Sequence, residues 1–164
     1  MAMRNVLISG CIAFGAIAAA APVWAECDEI RPTIPTSRYV ISGDEVHDTQ
    51  SDLTWQRCSA GQSWTDGEGC VGEIQKLSWD QAKELAKDGW RLPTKDELIT
   101  LISKACTPSV NPDAFPNMDK TKLWYWSSDE MEPDLAGLVY FDGGATFNGY
   151  RTSANAVRLV RSGE

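Results

Sequence analysis

The stretch DGWRLPTKDEL, Asp88 to Leu98, decides the fold because it ends one helix and begins another. Gly89 adopts the left-handed backbone conformation at little cost, which stops a preceding helix. Thr94 and Glu97 have the T-x-x-E spacing of a capping box, in which each side chain satisfies an unpaired N–H group at the start of a helix. The stretch therefore predicts two helices that follow each other closely in the chain.

The same stretch contains a structural signature. We expect Trp90 to bury a large aromatic surface directly after the helix stop, and Arg91 to form a buried ion pair. Pro93 fixes the direction of the chain, and Thr94 caps the next helix. Trp55, further upstream, belongs to the same structural set. Because each residue has a local structural task, we interpret the motif as a packing element rather than a functional site.

The residues on either side complete both helices. Ser78 and Gln81 form a second capping box, which places the start of the first helix directly after Ser78. One face of that helix carries the apolar residues Trp79, Ala82, Leu85 and Ala86. The second helix is expected from Thr94 to near Pro108, and its apolar residues are Leu98, Leu101, Ile102 and Ala105.

Strand patterns lie on both sides of the helices. Before them, short apolar and alternating runs predict strands at 39–41, 45–48 and 53–58. After them, the pattern predicts strands at 123–128, 136–142, 145–151 and 156–161. Asp142-Gly143-Gly144 is a hairpin turn signal between two of these strands. The chain is therefore expected to be an α+β domain, with two helices packed on short antiparallel sheets.

The N-terminus has the composition of a secretory signal peptide. Arg4 precedes an apolar run from Val6 to Ala21, and small residues before Glu26 fit a cleavage site. An alternative is a lipid-bearing Cys11, since Ile8-Ser9-Gly10-Cys11 is similar to a lipobox. The expected organisation is a signal peptide at 1–25, an extended N-terminal tether at 26–38 and the folded domain at 39–164. Such a protein is expected to be periplasmic or secreted.

The charge balance limits the classes of partner. The chain has 23 acidic and 15 basic residues, a net charge of -8, and loss of Arg4 with the signal peptide would lower it by one. Such a field repels phosphate and anionic lipid. No second apolar stretch approaches the length that a transmembrane helix needs. We therefore expect no nucleic-acid partner and no membrane span.

The cysteine count predicts a disulfide-bonded fold. One of the five cysteines lies in the signal peptide, and the even number that remains in an exported chain is typical of disulfides. Cys58 and Cys70 enclose a Gly-rich loop that we take to lack apolar content, so a bridge between them would hold it. Cys27 would then pair with Cys106. The rival interpretation is a zinc site, although the chain has no C-x-x-C pair and a single histidine.

Six segments occur in an order that resembles a known family. They are LTWQRCSAGQSW (53–64), the helical segment 79–86, DGWRLPTKDEL (88–98), NPDAFPN (111–117), YWSS (125–128) and VRLVR (157–161). Together they resemble the Lcl C-terminal domain family of bacterial exported proteins over residues 39–161. The resemblance implies a C-type-lectin-like fold related to the formylglycine-generating enzymes. It also implies a binding module, since the adhesin that gives the family its name is implicated in binding sulfated polysaccharides.

A sulfated polymer would need a local basic patch on a domain with this net charge. The basic residues late in the chain are Lys120, Lys122, Arg151, Arg158 and Arg161. Without such a patch, the acidic field would repel the polymer.

The segment after the helices carries the candidate binding residues. Trp124 and Trp126 are predicted on one face of a strand, where they pack in the core or present aromatic rings to a sugar or peptide. Glu132-Pro133-Asp134 is similar to the calcium and sugar motif of C-type lectins. We interpret the segment as a solvated acidic loop, with calcium binding as the alternative, and therefore expect no cofactor. The candidate binding set is Trp124, Trp126, Asp129, Glu132, Asp134, Asn148, Tyr150 and Arg151.

Catalytic chemistry has few candidate residues. A Ser-His-Asp arrangement would have to use His47, and no serine lies in a G-x-S-x-G turn. We interpret His47 as a half-exposed strand residue. We therefore expect a non-enzymatic module that recognises a protein or glycan through the loops between Ser128 and Asn155. Two alternatives stay open: a periplasmic inhibitor or immunity protein that neutralises a cationic enzyme, and an enzyme related to the formylglycine-generating oxidoreductases.

Overall fold

The computed structural model describes residues 34–103, 109–116, 118 and 123–163. Within these residues the chain has the expected α+β class, with short helices between antiparallel strands. The strands are β1 (Tyr39–Ser42), β2 (Glu45–Asp48), β3 (Leu53–Gln56), β4 (Ser63–Thr65), β5 (Gly69–Val71), β6 (Trp124–Glu132), β7 (Leu135–Tyr140), β8 (Ala145–Tyr150) and β9 (Val160–Ser162). The helices are α1 (Trp79–Glu84) and α2 (Lys95–Thr100), and a 3-10 turn spans Thr36–Arg38.

The first sheet has the strand order β1-β2-β3-β9, all antiparallel. Val46 lies opposite Trp55, which lies opposite Val160, and all three residues are fully buried. This face of the sheet therefore packs on the core. The strand predicted at 156–161 is shorter than expected, and the observed strand is β9. Ala156 does not pair in the first sheet, because it bridges to Tyr125 of β6.

The second sheet has the order β6-β7-β8 and is also antiparallel. Its register places Trp124 opposite Tyr140 and Trp126 opposite Leu138. The Asp142-to-Gly144 turn joins β7 to β8, as predicted. Gly143 and Gly144 both have positive φ, at 89° and 73°, which explains why glycines occupy this turn.

The disulfide loop forms a third, two-stranded sheet, the hairpin β4–β5. The Cys58–Cys70 disulfide is confirmed, with a Cα–Cα distance of 5.4 Å. The expectation that the loop lacks apolar content was wrong, because Trp64 lies within it and stacks on Arg57. This contact gives the hairpin a reason to form. Cys27, Cys106 and the predicted signal peptide at 1–25 lie outside the described residues.

Both capping boxes are confirmed, with Ser78 and Gln81 at the start of α1 and Thr94 and Glu97 at the start of α2. Each helix has only six residues, which is shorter than predicted. Gly89 has φ of 83°, but it lies in a turn beyond the end of α1 rather than directly at its C-terminus. Helices this short depend on tertiary packing for their stability.

Two core clusters lie on opposite faces of the second sheet. Tyr125 and Val139 face the cluster that also contains apolar residues of the first sheet and of α2. Trp126 and Leu138 face the cluster that contains Trp79 of α1. Burial on both faces explains why β6 and β7 have few charged residues where they pair. No residue of β8 belongs to either cluster.

The described end of the predicted tether, residues 34–38, packs against the domain rather than extending away from it. Ile34 packs against the first core cluster, and its carbonyl accepts a hydrogen bond from Asn111. The Thr36 hydroxyl donates to Asp113 at 2.9 Å. Arg38 pairs with the buried Asp48. Short-range sequence patterns do not reveal such long-range contacts, so the interpretation of this segment as an extended tether did not include them.

The structural signature lies where the sheets meet the helices. Trp55 is fully buried, whereas Trp90 is half-buried beneath the guanidinium of Arg161. Arg91 forms the predicted ion pair, with Glu97 at 2.7 Å, but its side chain is 41% exposed rather than buried. The Pro93 carbonyl accepts a hydrogen bond from Ser128 N–H at 2.7 Å, which joins the start of α2 to β6.

Candidate functional site

Three aromatic side chains form a row on one face of the second sheet: Trp124, Tyr140 and Phe147. We call this row the aromatic ladder. The ring centroids of Trp124 and Tyr140 are 5.1 Å apart, and those of Trp124 and Phe147 are 6.0 Å apart. Phe147 is 61% exposed, and the other two are half-buried. The antiparallel pairing places all three rings on the same face.

Trp126 lies on the same face as Trp124 but does not reach the surface. It is fully buried, and its indole Nε1 donates to the carbonyl of Leu77 at 2.8 Å. Including Trp126 among the binding residues was therefore wrong, because α1 and the segment before it cover this part of the face. The core-packing interpretation holds for Trp126, whereas Trp124 is half-buried and packs at the margin of the second core cluster.

Asp129 and Arg151 have structural partners within the domain. The Asp129 carboxylate accepts a hydrogen bond from the Lys95 N–H at 2.7 Å, which satisfies an unpaired donor in the first turn of α2. Arg151 lies over the Trp79 ring at 4.3 Å and pairs with Glu130 at 3.2 Å. Hydrogen bonds from Lys83 and Arg151 lower the pKa of Glu130. These contacts fix the β6–β7 hairpin against α1.

The tip of the β6–β7 hairpin carries the acidic residues that are similar to a lectin motif. Glu132 and Asp134 are exposed on either side of Pro133. The backbone carbonyl of Glu132 accepts a hydrogen bond from the Arg151 side chain, and that of Asp134 accepts one from the Arg151 N–H. Among the described residues, no group of three or more His, Cys, Asp or Glu side chains is placed to hold a metal ion.

Strand β8 lies at an edge of the second sheet and carries two predicted residues, Asn148 and Tyr150. Tyr150 is 68% exposed and Asn148 is also exposed. Because side chains alternate along a strand, these two point away from the face that carries Phe147. Only Gly149 of this strand is buried; the carbon that a larger side chain would place there meets Leu138 at 2.5 Å. Both faces of β8 are therefore accessible.

The late basic residues that the structure describes, Arg151, Arg158 and Arg161, are buried or paired with acidic residues. Arg158 is only 1% exposed and donates to the backbone carbonyls of Gln56 and Arg57. Burial lowers its pKa. Arg161 pairs with Glu45 at 2.8 Å, and Arg151 is held by Glu130. Counting Arg158 as a surface residue was wrong; Lys120 and Lys122 lie outside the described residues.

His47 lies on β2 and is half-exposed, as predicted. Its Nδ1 atom is 3.4 Å from the hydroxyl of Thr54, and its Nε2 atom is 3.7 Å from the carboxylate of Asp52. Both neighbours belong to the same turn and strand pair, so the contacts fit an ordinary strand position.

Sequence reasoning missed two parts of the site. Tyr140 and Phe147 complete the aromatic ladder; the hairpin signal at Asp142 to Gly144 indicated the β7–β8 pairing that brings these two together, whereas the alignment of Trp124 depends on the β6–β7 pairing. The second omission is a polar cleft beside the β4–β5 hairpin, lined by Asp44 and Trp64 among others. Its walls come from the β1–β2 turn, the end of β3 and the disulfide-closed loop, which come together only in the folded chain.

Comparison with known proteins identifies a family. A search of curated proteins finds no match. No helix in the described part of the chain is long and apolar enough to cross a bilayer. A family model, described as the Lcl C-terminal domain, matches residues 44–161, which contain the disulfide-closed hairpin, both helices and the second sheet. The chain therefore belongs to the Lcl C-terminal domain family.

Proposed function

We propose that this domain is an exported, non-enzymatic binding module on a C-type-lectin-like scaffold. Its partner is a protein that adds an extended segment to the edge of β8. The observation that carries the proposal is that β8 is an exposed edge strand with no charged residue and no proline. Such an edge offers unpaired backbone N–H and C=O groups to another chain.

The other edge of the second sheet supports the choice of β8. The N–H of Trp126 donates to the Ala156 carbonyl, and the N–H of Ala156 donates to the Trp124 carbonyl. These bonds cover the outer edge of β6. Among the described residues, no comparable segment covers β8. Proteins usually protect an open edge with a charge, a proline or a bulge, and an unprotected one favours strand addition.

The side chains of β8 supply a basis for specificity. Phe147 extends the aromatic ladder on one face, and Tyr150 with Asn148 lies on the other. An added strand would place its alternate side chains beside these two groups. Exposed acidic residues at both ends, Asp134 and Asp142, favour a partner segment with a basic residue at its termini.

Export is supported by the Cys58–Cys70 disulfide, because such bridges persist in the periplasm and outside the cell and are rare in the cytosol. The proposed location is therefore the periplasm or the cell exterior. The proposed function needs no catalytic group, since strand addition requires only a stable edge.

Selection from a random-peptide display library tests the proposal. We expect enriched peptides with an alternating apolar pattern, and we expect hydrogen exchange of the β8 amides to slow when such a peptide binds. Phe147→Lys should weaken binding by roughly tenfold or more, because it places a charge on the edge. Val40→Lys is the matched control, since Val40 is 58% exposed on β1, an edge strand of the first sheet.

The result that contradicts strand addition is peptide binding that is equally weakened by both variants, or that leaves β8 exchange unchanged. A second candidate function, glycan binding, is favoured by the aromatic ladder, because aromatic rings stack on sugar rings. It predicts a glycan-array signal that Trp124→Ala abolishes, with no selection of peptides.

A further inference from the structure

A cleft of about 470 Å³ lies between the β4–β5 hairpin and the turn that joins β1 to β2. We call it the hairpin cleft. Its polar and aromatic lining residues are Asp44, Gln56, Gln62, Ser63, Trp64 and Asp66. This volume is within the usual range for small-ligand sites. None of these residues belongs to the second sheet, so the cleft is separate from the proposed strand-addition site.

The walls of the cleft are held firmly. The Cys58–Cys70 disulfide joins the start of the loop to β5, and Cys58 itself lines the cleft. The Gln62 side-chain amide donates to the Gly72 carbonyl at 3.2 Å, across the hairpin. A Cβ atom added at Gly61 would lie only 2.6–2.8 Å from atoms of Glu73 and Gln75. Only glycine therefore fits at this position. A site with fixed walls loses little entropy when a ligand binds.

The Trp64 side chain, which lines the cleft, is in contact with the guanidinium of Arg57. Arg57 lies over the Trp64 ring with 3.5 Å between its Cζ atom and the ring centroid. Arg57 is 8% exposed, and it donates to the carbonyls of Gly43 and Asp113 at 2.9 and 2.8 Å. Its donors are therefore directed at the protein. The contact shows that the Trp64 π-system suits a planar cation.

The carboxylates set the sign of charge that the cleft accepts. Asp66 accepts a hydrogen bond from Trp64 Nε1 at 2.8 Å, which fixes it beside the indole. Asp44 forms no ion pair among the described residues, although its backbone carbonyl accepts from the Arg57 N–H. Asp66 also interacts with the neighbouring guanidinium of Arg57, so the two carboxylates and this one cation leave a net negative charge that attracts cations and repels anions.

The geometry points to the hairpin cleft as a binding site for a small organic cation, a guanidinium or alkylammonium group on a short stem. The cationic group pairs with Asp44 and Asp66, and the stem packs on Trp64. The amides of Gln56 and Gln62 supply hydrogen-bond partners around it. Such a group occurs on free amines and on the basic side chains of peptides, and the same cleft chemistry serves both.

Titration followed by NMR tests this inference. The probes are agmatine, as a free cation, and Nα-acetylarginine amide, as a peptide side chain; the neutral control is Nα-acetylcitrulline amide, which has nearly the same shape. We expect the indole N–H signal of Trp64 to shift with either cation, and the affinity to fall as salt is added. Binding of only one cation identifies which source the site serves.

Variants locate the site. Asp44→Asn and Asp66→Asn should each weaken cation binding roughly fivefold, since each removes one partly exposed ion pair and keeps a similar shape. Glu84→Gln is the matched control, because Glu84 is an exposed acidic residue of α1 that does not line the cleft. Each variant should keep the unfolding midpoint of the parent.

Three results would overturn the inference: no shift of the Trp64 indole signal with either cation, equal affinity for the citrulline compound, or equal loss of binding in all three variants. Phe147 lies on the second sheet, which does not line the cleft, so Phe147→Lys should leave cation binding unchanged. A failure of the strand-addition proposal is therefore distinguishable from a failure of the cation-site proposal.

Discussion

The buried ion pair between Arg38 and Asp48 should control the stability of the domain. The Asp48 side chain is fully buried, and that of Arg38 is 11% exposed. Arg38 donates from Nε at 2.7 Å and from Nη2 to the two carboxylate oxygens. Ser51 and the Gln50 N–H complete the set of donors to Asp48, at 2.7 and 3.0 Å. The pair also joins the N-terminal turn to the first sheet.

Arg38→Met removes the positive charge while it keeps most of the side-chain volume. Breaking a buried ion pair by removal of one partner costs about 3–5 kcal/mol. We expect the lower end, about 3 kcal/mol, because the donors from Ser51 and Gln50 remain on the carboxylate. This is a large part of the roughly 5–15 kcal/mol that stabilises a typical domain.

The pH dependence has a definite sign. Burial opposes ionisation of Asp48, but the hydrogen bonds from Arg38, Ser51 and Gln50 prevail and lower its pKa. Its folded pKa is thus below its unfolded value, so the contribution to stability is present above the unfolded value and is lost as the pH falls through the folded pKa. In Arg38→Met the principal donor is gone. The difference in the free energy of unfolding between parent and variant should therefore be largest near neutral pH and should shrink below about pH 4.

Urea denaturation followed by tryptophan fluorescence measures this difference at a series of pH values. We expect the midpoint to fall and the slope to stay unchanged. The matched control is Lys83→Met, which breaks the exposed pair with Glu130 and should cost less than about 1 kcal/mol. A loss of less than about 1 kcal/mol for Arg38→Met at neutral pH, or a difference that is constant down to pH 3, would refute the reasoning.

Two further predictions concern the disulfide-bonded region. Reduction of the Cys58–Cys70 bridge, with a sequence separation of 12, should lower the free energy of unfolding by about 3 kcal/mol; equal urea midpoints in oxidised and reduced protein would contradict this. Arg158→Met should cost about 2 kcal/mol, since the carbonyls of Gln56 and Arg57 lose a buried donor. Thermal unfolding measured by circular dichroism checks it, and a variant at least as stable as the parent would show that those carbonyls do not need the guanidinium.

The local signals in the sequence were read correctly where the physics is local. A capping box involves residues three positions apart, so Ser78 and Thr94 could be identified without any tertiary information. The Asp142-to-Gly144 turn likewise specifies its own hairpin. That hairpin pairs the strands that carry Tyr140 and Phe147, and the β6–β7 register adds Trp124 to the same face.

The errors share a different cause, since each depends on residues far apart in the chain. Burial of Trp126 is produced by contacts with the region of α1, and burial of Arg158 by carbonyls about 100 positions away. Composition alone places an arginine at the surface. The partner of Asp129 was likewise hidden from sequence reasoning, because the Lys95 N–H is 34 positions earlier.

The residues that pack the core are distinct from the exposed residues of the proposed binding surfaces. Both core clusters end at β7, so β8 extends beyond the packed interior while it keeps a complete ladder of pairs with β7. The hairpin cleft is likewise held by a disulfide and hydrogen bonds rather than by core packing. Substitution of an exposed side chain such as Phe147 should therefore change stability by less than about 0.5 kcal/mol. Substitutions at the edge of β8 can therefore alter the proposed strand-addition site while the packed core stays intact.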